Sequence, residues 1–420
     1  MSARPPVVVL GLLWAGLALA RSLGRDGVDV TGVAFSGSEF GLRSRYLRRR
    51  LFAGREGRDE LVLAALREAA QTRPAIVIPE RDAQVEWVLR NWDAVREVAI
   101  LPLPDDAGIV RRLRRKDLLV FEAERADVAA PPTVAAASEQ DVRAGGLRPP
   151  LLVKPREGQG FAAAFGRKLF VASDVEEALA AARKARDAGF ATVVQELVPD
   201  AHDQVWSLFT YIGREGKPLG NVVGRKVRSG PPRFGTASVF ELRANPRVLE
   251  LGLRLLHSAG YRGFAQVELA YDARDDGFKL LEVNTRPPQW GGIAMTPRFD
   301  IARIAYDDLC GRPVPPAETF AEEGVNWIYL AKDVWSSLQM ARAGELPARA
   351  FAAEYLRPGT VRAIFAADDP LPALASVAYL GAKVASRACG WCSSIPRTSH
   401  LPTITASPPR SRAGGTRSIS

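Results

Sequence analysis

Two glutamates near the middle of the chain are spaced so that a β-hairpin would set them face to face. Apolar residues alternate with period two on both sides of the turn-like segment Ala273–Gly277, which is typical of a hairpin. If Asp272 pairs with Phe278 across this turn, antiparallel register places Glu268 directly opposite Glu282. Like charges in opposite positions destabilise a sheet. The pair is therefore unfavourable unless a cation lies between the two carboxylates.

Asn284 would lie on the same face of the hairpin and complete an all-oxygen cluster with the two glutamates. Carboxylate and amide oxygens suit Mg²⁺ or Mn²⁺. The hairpin therefore predicts a metal site formed by Glu268, Glu282 and Asn284. Arg286 follows on the same face, where a guanidinium can hold phosphate oxygens that the metal does not neutralise. The alternative is an exposed hairpin whose glutamates face water, and it would leave Arg286 without a role.

A second group of residues lies upstream, where a lysine ends an apolar strand and glycines follow it. In the segment 151–161, Lys154 stands at the end of the predicted strand, and Gly158 and Gly160 come after it. Such a lysine can reach the α- and β-phosphates of a nucleotide, and the glycines let backbone amides approach them. An ordinary strand-to-turn junction would have the same pattern.

Together the two segments resemble the ATP-grasp superfamily. The run Glu282–Arg286, with Glu268 on the partner strand, is similar to that family's metal-binding signature, and the segment 151–161 is similar to its nucleotide-binding strand and glycine loop. The resemblance extends in family order over roughly residues 1–310. It implies that ATP activates a carboxylate as an acylphosphate, which an amine attacks with release of ADP and phosphate. ATP and Mg²⁺ (or Mn²⁺) would be the cofactors, and a small carboxylate and a small amine the substrates.

Further residues take expected roles from this resemblance. The segment 192–200 is similar to the hinge strand, where Glu196 and Val198 would meet the adenine largely through their backbone. Asp203 stands near the position from which an acid usually binds the ribose hydroxyls. Lys116 occupies the place of the family's first ATP-contacting basic residue, at the start of a helix. Alternatively, Lys116 is one more charge on a solvated helix face.

A basic stretch, residues 224–238, lies between the hinge and the hairpin. The corresponding strand and loop of the family line the substrate and phosphate side of the cleft. Lys226 and Arg228 are therefore expected to bind the transferred phosphoryl group or to orient the acceptor carboxylate. Lys154 and Arg286 would offset charge on the phosphoryl group in flight.

Two other functions stay open at this point. One is another ATP-grasp activity, such as an ATP-dependent carboxylase. The other is a nucleotide-binding regulatory protein that keeps the fold without turnover, although a full set of metal ligands is more than binding alone requires.

The elements that must position these residues begin with an alternation of strands and helices. The sequence predicts strands at 7–10, 28–34, 75–78 and 98–101 and helices at 14–23, about 58–72 and about 81–92. This order predicts a parallel sheet of about four strands and resembles the small Rossmann-like domain that precedes the ATP-grasp domain. The first 20 residues would alternatively form a signal peptide with a small-residue site at Ala18–Ala20. The Rossmann-like interpretation is favoured because Gly11 splits the apolar run where a βα turn is expected.

The predicted fold class is α/β, with four parts in chain order. They are a Rossmann-like pre-ATP-grasp domain (1–106), an α+β ATP-grasp domain (107–315) with a smaller lid subdomain at about 130–195, a helical C-terminal region (316–387) and a disordered tail (388–420).

Composition excludes several classes of protein. Of the net charge of +10, residues 371–420 supply six basic side chains and no acid, which leaves +4 elsewhere and no concentrated basic face for nucleic acid. Three histidines offer no evident catalytic cluster, and the pair Cys389/Cys392 lies in the predicted tail without the context of a redox motif. Low cysteine usage and the lack of a convincing membrane span predict a cytoplasmic protein without membrane partners, with a homodimer as an option.

Overall fold

The computed structural model of the protein describes residues 4–54, 56–158, 160–199, 204–232, 235–314, 319–320, 324–342, 344 and 354–377. These residues form three β-sheets and the helices that pack on them. No helix within these ranges is long and apolar enough to cross a lipid bilayer.

The first sheet is built from alternating strands and helices, as the sequence predicts. Its strands are β1 (Val7–Leu10), β2 (Val30–Ala34), β3 (Arg49–Phe52), β4 (Ala75–Pro79) and β5 (Ala99–Ile100), and its helices are α1 (Trp14–Arg25), α2 (Arg58–Ala69), α3 (Asp82–Arg90) and α4 (Trp92–Arg96). All pairs are parallel, in the order β3-β2-β1-β4-β5. The turn after β1 uses Gly11 at φ 93°, a conformation that favours glycine. The Rossmann-like interpretation is confirmed over the signal peptide.

One strand of this sheet, β3, was not predicted. It is an edge strand whose residues alternate between partly buried and exposed. Arg49 pairs with Glu68 of α2 at 2.5 Å, and the Arg50 guanidinium donates to the Leu42 carbonyl at 3.0 Å. Charged side chains on an edge strand discourage pairing with another chain.

The second sheet follows two helices, α5 (Ala107–Arg114) and α6 (Lys116–Arg125). It is antiparallel and contains β6 (Thr133–Ala135), β7 (Leu151–Pro155), β8 (Phe170–Ala172) and β9 (Thr192–Glu196), with the helices α7 (Glu139–Ala144), α8 (Phe161–Phe165) and α9 (Val175–Asp187). The strand order is β6-β9-β7-β8. These elements occupy the segment that the sequence assigns to a lid subdomain, and the domain boundaries themselves stay a prediction.

The third sheet has eight strands. They are β10 (Val205–Ile212), β11 (Pro218–Gly230), β12 (Thr236–Leu242), β13 (Gly263–Asp272), β14 (Gly277–Asn284), β15 (Thr319–Phe320), β16 (Asn326–Ile328) and β17 (Val361–Arg362), and the helices around them are α10 (Pro246–Ser258), α11 (Ile301–Leu309) and α12 (Leu330–Arg342). The order is β14-β13-β10-β11-β12-β16-β17, and β15 pairs with β11.

A shared apolar core fixes the first sheet against the third. It contains Leu19 and Leu23 of α1, Phe209 of β10, Phe240 of β12 and Tyr306 of α11, all buried. Burial of side chains of this size contributes about 1.5–3 kcal/mol each. Helices α6 and α10 cover the other face of the third sheet through a separate cluster. The functional residues of both sheets are therefore held in fixed relative positions.

In the described part of the C-terminal region, short strands accompany the predicted helical structure. Helix α12 is present, but β16 and β17 flank it and extend the third sheet. These strands have three and two residues, too few for period-two alternation to be visible in the sequence. The tail 388–420, with its cysteine pair, lies outside the described residues.

Candidate functional site

The hairpin of β13 and β14 sets Glu268 opposite Glu282, as predicted. The expected pairing at the turn was wrong, however, because Phe278 lies opposite Tyr271 and not Asp272. A β-bulge next to the glutamate pair absorbs one extra residue of β14 and restores the register. The bulge thus sets the register in which the two carboxylates lie opposite each other on one face.

The two carboxylates share a confined space. Burial raises the pKa of Glu268, and the adjacent Glu282 raises it further. The nearby cations Lys226, Lys168 and Arg286 act in the opposite direction. Gln266 donates from its Nε2 to Glu268 Oε1 at 2.7 Å. This concentration of negative charge suits a bound cation.

The donor atoms of the hairpin suit a divalent ion that a ligand also coordinates. Among the described residues, no group of three or more His, Cys, Asp or Glu side chains lies close enough to hold a metal. The hairpin offers two carboxylates and the Asn284 amide. Mg²⁺ usually takes one or two protein carboxylates together with substrate phosphates. The residues present therefore fit Mg²⁺ held jointly by protein and nucleotide.

Asn284 and Arg286 connect this hairpin to the first sheet. Arg286 donates from Nη2 to Asn284 Oδ1 at 3.2 Å, and from Nε and Nη2 to the Asp82 carboxylate at 3.1 and 2.7 Å. Asp82 also accepts from Arg114 Nη1 at 3.0 Å. Although burial alone would raise it, Arg286 and Arg114 hold the pKa of Asp82 well below its usual range. Asp82, the first residue of α3, was missed at the sequence level because it lies about 200 residues from Arg286.

Lys154, on β7 of the second sheet, lies near the two glutamates of the hairpin. Its Nζ donates to Gln195 Oε1 on β9 at 2.5 Å. Burial lowers the pKa of Lys154 to about 8, with a further contribution from Lys116, while Glu282 and Glu268 act in the opposite direction. The lysine predicted to bind phosphates thus lies within electrostatic reach of the predicted metal ligands. We call Lys154, Lys168, Lys226, Glu268 and Glu282 the central site.

Lys116 begins helix α6, as the sequence predicts. Its backbone N–H donates to the Arg156 carbonyl at 3.3 Å, which joins the start of the helix to the loop that follows Lys154. In that loop, Gly160 has φ 80° and precedes α8, so a glycine is favoured there. Gly158 has open space where a Cβ would lie. Gly158 therefore leaves room beside the loop backbone, Gly160 supplies its left-handed conformation, and their nucleotide-binding role stays a prediction.

The hinge residues are buried at the end of β9. The Glu196 carboxylate accepts from the Arg148 backbone N–H at 2.9 Å and pairs with the Arg148 guanidinium at 3.3 Å. Its side chain is thus used inside the protein, and its backbone N–H donates to the Pro132 carbonyl at 3.0 Å. The contact with adenine stays a prediction. Val198 is buried as well. Asp203, the predicted ribose ligand, lies outside the described residues.

Lys226 and Arg228 differ in their surroundings. Lys226 lies near Glu268 and Glu282, and burial lowers its pKa. Arg228 is 6% exposed, and its Nε and Nη2 donate to the Asp333 carboxylate of α12 at 3.0 and 2.8 Å. This ion pair fastens α12 to the third sheet. The expected substrate role of Arg228 stays a prediction that its geometry does not favour, because its Nε–Nη2 edge binds the fully buried Asp333. Arg286 binds Asp82 through the same edge, but the side chains of this second pair are 15% and 49% exposed.

Two lysines, Lys168 within the central site and Lys332 beside it, were not predicted. Lys168 follows α8 and influences the pKa of both Glu268 and Lys226. Lys332 of α12 lies next to Lys226 and Lys168. Neither belongs to a recognisable motif, so only the packing of separate elements reveals them.

Comparisons with known proteins agree with this geometry at the level of fold. No protein-family model and no curated protein sequence matches the chain. Among solved structures, an ADP complex of N5-carboxyaminoimidazole ribonucleotide synthetase matches with a TM-score of 0.59 and 14% identity over 76% of this chain and 81% of that one. An L-amino acid ligase from Bacillus licheniformis matches with a TM-score of 0.55 and 16% identity, covering 74% and 75% of the two chains.

A third solved structure includes a metal and a small acid. It is the biotin carboxylase domain dimer of the Hydrogenobacter thermophilus 2-oxoglutarate carboxylase, in complex with MgADP, ADP and bicarbonate, with a TM-score of 0.58 and 16% identity over 75% of this chain and 72% of that one. At such identities the likeness shows the fold alone. The fold predicted from the sequence is confirmed.

Proposed function

Because this chain has the ATP-grasp fold, we propose that it is an ATP-dependent carboxylate-amine ligase. In the proposed reaction, a carboxylate oxygen attacks the γ-phosphorus of ATP, and the bond to the β-phosphate oxygen breaks to release ADP. An amine then attacks the acyl carbon, phosphate leaves, and the amine loses a proton. The observation that supports this proposal is the convergence of Lys154 and Lys226 with the paired carboxylates of Glu268 and Glu282 in one site.

The nucleotide end of the site would use residues of the second sheet. Lys154 and Lys116 would bind phosphate oxygens, and the glycine loop would let backbone amides approach them. The backbone of Glu196 and Val198 would meet the adenine. Asp203 is proposed for the ribose hydroxyls on the resemblance alone.

The phosphoryl-transfer end would use the hairpin. Glu268, Glu282 and Asn284 would hold Mg²⁺ (or Mn²⁺), which when bound neutralises charge on the β- and γ-phosphates. Arg286, oriented by Asp82, would face the transferred phosphoryl group, and Lys226 would orient the acceptor carboxylate. The raised pKa of Glu268 supports the metal assignment, since a site crowded with negative charge gains most from a cation.

The deciding experiment is a substrate panel. The protein is incubated with ATP, Mg²⁺ and mixtures of amino acids and small carboxylates, and phosphate release is recorded. Hydroxylamine is then added in place of the amine, because it converts an acylphosphate into a stable hydroxamate. We expect acid-dependent release of phosphate and hydroxamate formation. ATP binding without stimulation by any acid would point to the non-catalytic alternative.

An ATP-dependent carboxylase is the second candidate. Two of the similar structures are a carboxyaminoimidazole ribonucleotide synthetase and a biotin carboxylase domain bound to bicarbonate, so the fold suits bicarbonate as the acid. Bicarbonate alone supporting turnover in the same panel would favour this activity. The biotin carboxylase domain is a dimer, and a homodimer of this chain stays a prediction.

A further inference from the structure

Helix α12 brings a half-buried lysine to the edge of the central site. Lys332 donates from Nζ to the Thr236 carbonyl at 2.9 Å and also to the Thr236 hydroxyl. Its aliphatic stem packs on Gly230, where an added Cβ would lie 2.8 Å from Lys332 Cε. The lysine head is thus held in one place by β11 and β12. Ordering a lysine side chain costs conformational entropy, which these contacts must offset.

Lys226 lies next to this position. Its Nζ lies 3.5 Å from the Gly235 carbonyl, one residue before the Thr236 that binds Lys332. The two ammonium groups therefore approach adjacent backbone carbonyls at the start of β12. Lys168, from the second sheet, is the third lysine near them.

The balance of charge around Lys332 is unusual. Burial, together with the nearby Lys168 and Lys226, lowers the pKa of Lys332 to about 7, and no carboxylate among the described residues acts in the opposite direction. Lys226 and Lys168 by contrast face Glu268. A partly buried cation beside two others is unfavourable unless an anion joins them. The surroundings of Lys332 therefore suit a bound oxyanion.

The position of Lys332 distinguishes it from the nucleotide lysines. The charged neighbours of Lys154 are Lys116, Glu282 and Glu268, whereas those of Lys332 are Lys168 and Lys226. The adjacent carbonyl contacts of Lys226 and Lys332 place Lys332 beside the lysine proposed to orient the acceptor carboxylate.

We propose that Lys332, with Lys226 and Lys168, binds a second anionic group of the acceptor substrate, so that the acceptor is an acid carrying another carboxylate or a phosphate. This inference rests on the proposed function. It assigns to α12 a positioning role in substrate choice, since a monocarboxylate would leave Lys332 without a counter-charge. The lysine would hold the distant end of the acceptor while the near carboxylate meets the phosphoryl group.

Calorimetry on the full chain tests this proposal with defined probes. Succinate, glutarate and inorganic phosphate are titrated against propionate and butyrate, each with MgADP present, and MgATP is titrated separately. We expect the wild-type protein to bind at least one dianion more tightly than the monocarboxylates. Lys332→Met should weaken that dianion about tenfold or more, Lys332→Arg should retain most of the affinity, and Lys217→Met, an exposed surface control, should have no effect.

The outcomes separate this inference from the function on which it rests. Intact MgATP binding in Lys332→Met, with loss of dianion binding, supports the acceptor site. Equal weakening of MgATP would assign Lys332 to the nucleotide phosphates and overturn the proposal. No preference for dianions in the wild type, or no effect of Lys332→Met, also overturns it. Failure of the wild type to bind MgATP would instead contradict the proposed function. With an active acid from the substrate panel, Lys332→Met should raise KM far more than it lowers kcat.

Discussion

At the scale of single residues, the facing glutamates repel each other, and a bound cation would offset this repulsion. Two carboxylates on opposite strands repel each other, and burial raises the pKa of Glu268 while Glu282 adds to the effect. A protein that needed only a stable hairpin would place an apolar or oppositely charged pair there. The arrangement is therefore best understood as a site that stabilises a bound cation at the expense of the free protein.

Replacing one carboxylate separates stability from function. Glu282→Gln removes a negative charge with little change of shape, so turnover should fall by about 100-fold or more with the loss of a metal ligand. The free energy of unfolding in EDTA should not decrease, because repulsion from Glu268 is relieved. Wild-type protein should gain stability from Mg²⁺ with nucleotide, and the variant should not.

Urea unfolding and phosphate release measure both quantities, with Glu250→Gln on the exposed face of α10 as the matched control. If Glu282→Gln turned over ATP at the wild-type rate at limiting Mg²⁺, the metal site would be misplaced.

Lys154 should make ATP binding depend on pH. Burial, with Lys116 beside it, lowers the pKa of Lys154 to about 8, so the ammonium is mostly charged at pH 7 and loses its proton as the pH rises through 8. Phosphate binds the charged form, and ATP affinity should therefore fall between about pH 7 and 9. Lys154→Met should bind ATP about tenfold or more weakly at pH 7 and show little of this pH dependence.

Calorimetry across this range provides the measurement, and Lys217→Met serves again as the control. A variant that binds ATP like the wild type at pH 7 would reassign Lys154 to a structural role.

At the scale of elements, the start of α3 acts on a hairpin of another sheet. Asp82 holds Arg286 and Arg114 together, so the first sheet orients a residue proposed to face the phosphoryl group. Asp82→Asn should lower turnover about tenfold to 100-fold while changing ATP affinity little. Because the Asp82 side chain is 49% exposed, the loss of stability should be only about 1 kcal/mol.

Comparison with Asp93→Asn on the exposed start of α4 isolates this effect. If Asp82→Asn lost stability and activity in parallel, with kcat restored by Mg²⁺ or glycerol, Asp82 would have only a packing role.

Sequence patterns predicted the individual strands of this site better than the tertiary contacts between them. The strands that carry Lys154, Glu268 and Glu282 have strong local alternation or apolar runs, and their pairing follows from a nearby turn. The bulge in β14 leaves no mark in the sequence, so the turn register was wrong although its consequence was right. Asp82 and Lys332 join the site through tertiary packing alone, which no spacing within one chain segment encodes.

The same reasoning explains why the sequence could not distinguish Arg228 from Lys226. Both residues belong to one basic stretch and are equivalent candidates on one strand. The partner that distinguishes them, Asp333, comes from α12 about 100 residues later. Asp333 also accepts from Ser238 at 2.7 Å and Tyr355 at 2.9 Å. A buried carboxylate with three donors fixes a helix on a sheet, and α12 is the helix that presents Lys332.

At the scale of the whole molecule, the end of the described chain is tied back to its beginning. Asp369 accepts from Arg21 Nε at 2.9 Å and from the Ser44 hydroxyl at 2.7 Å, and Arg21 also donates to the Ile364 carbonyl at 2.8 Å. Removing one partner from such a buried pair typically costs about 3–5 kcal/mol. The segment after α12 thus belongs to the fold that supports the site.

Residues 390–420, which follow the segment anchored by Asp369, should be dispensable. Residues 390–420 have no apolar periodicity to bury, contain none of the proposed ligands and carry their basic side chains as separated arginines. Deleting residues 390–420 should therefore leave turnover and ATP affinity unchanged, as measured by phosphate release and calorimetry. Because the deletion removes Cys392 and breaks the cysteine pair, it also tests a redox role. A truncated protein that binds ATP normally but loses activity, or that escapes inhibition by thiol oxidants to which the full chain responds, would show that this segment has a function of its own.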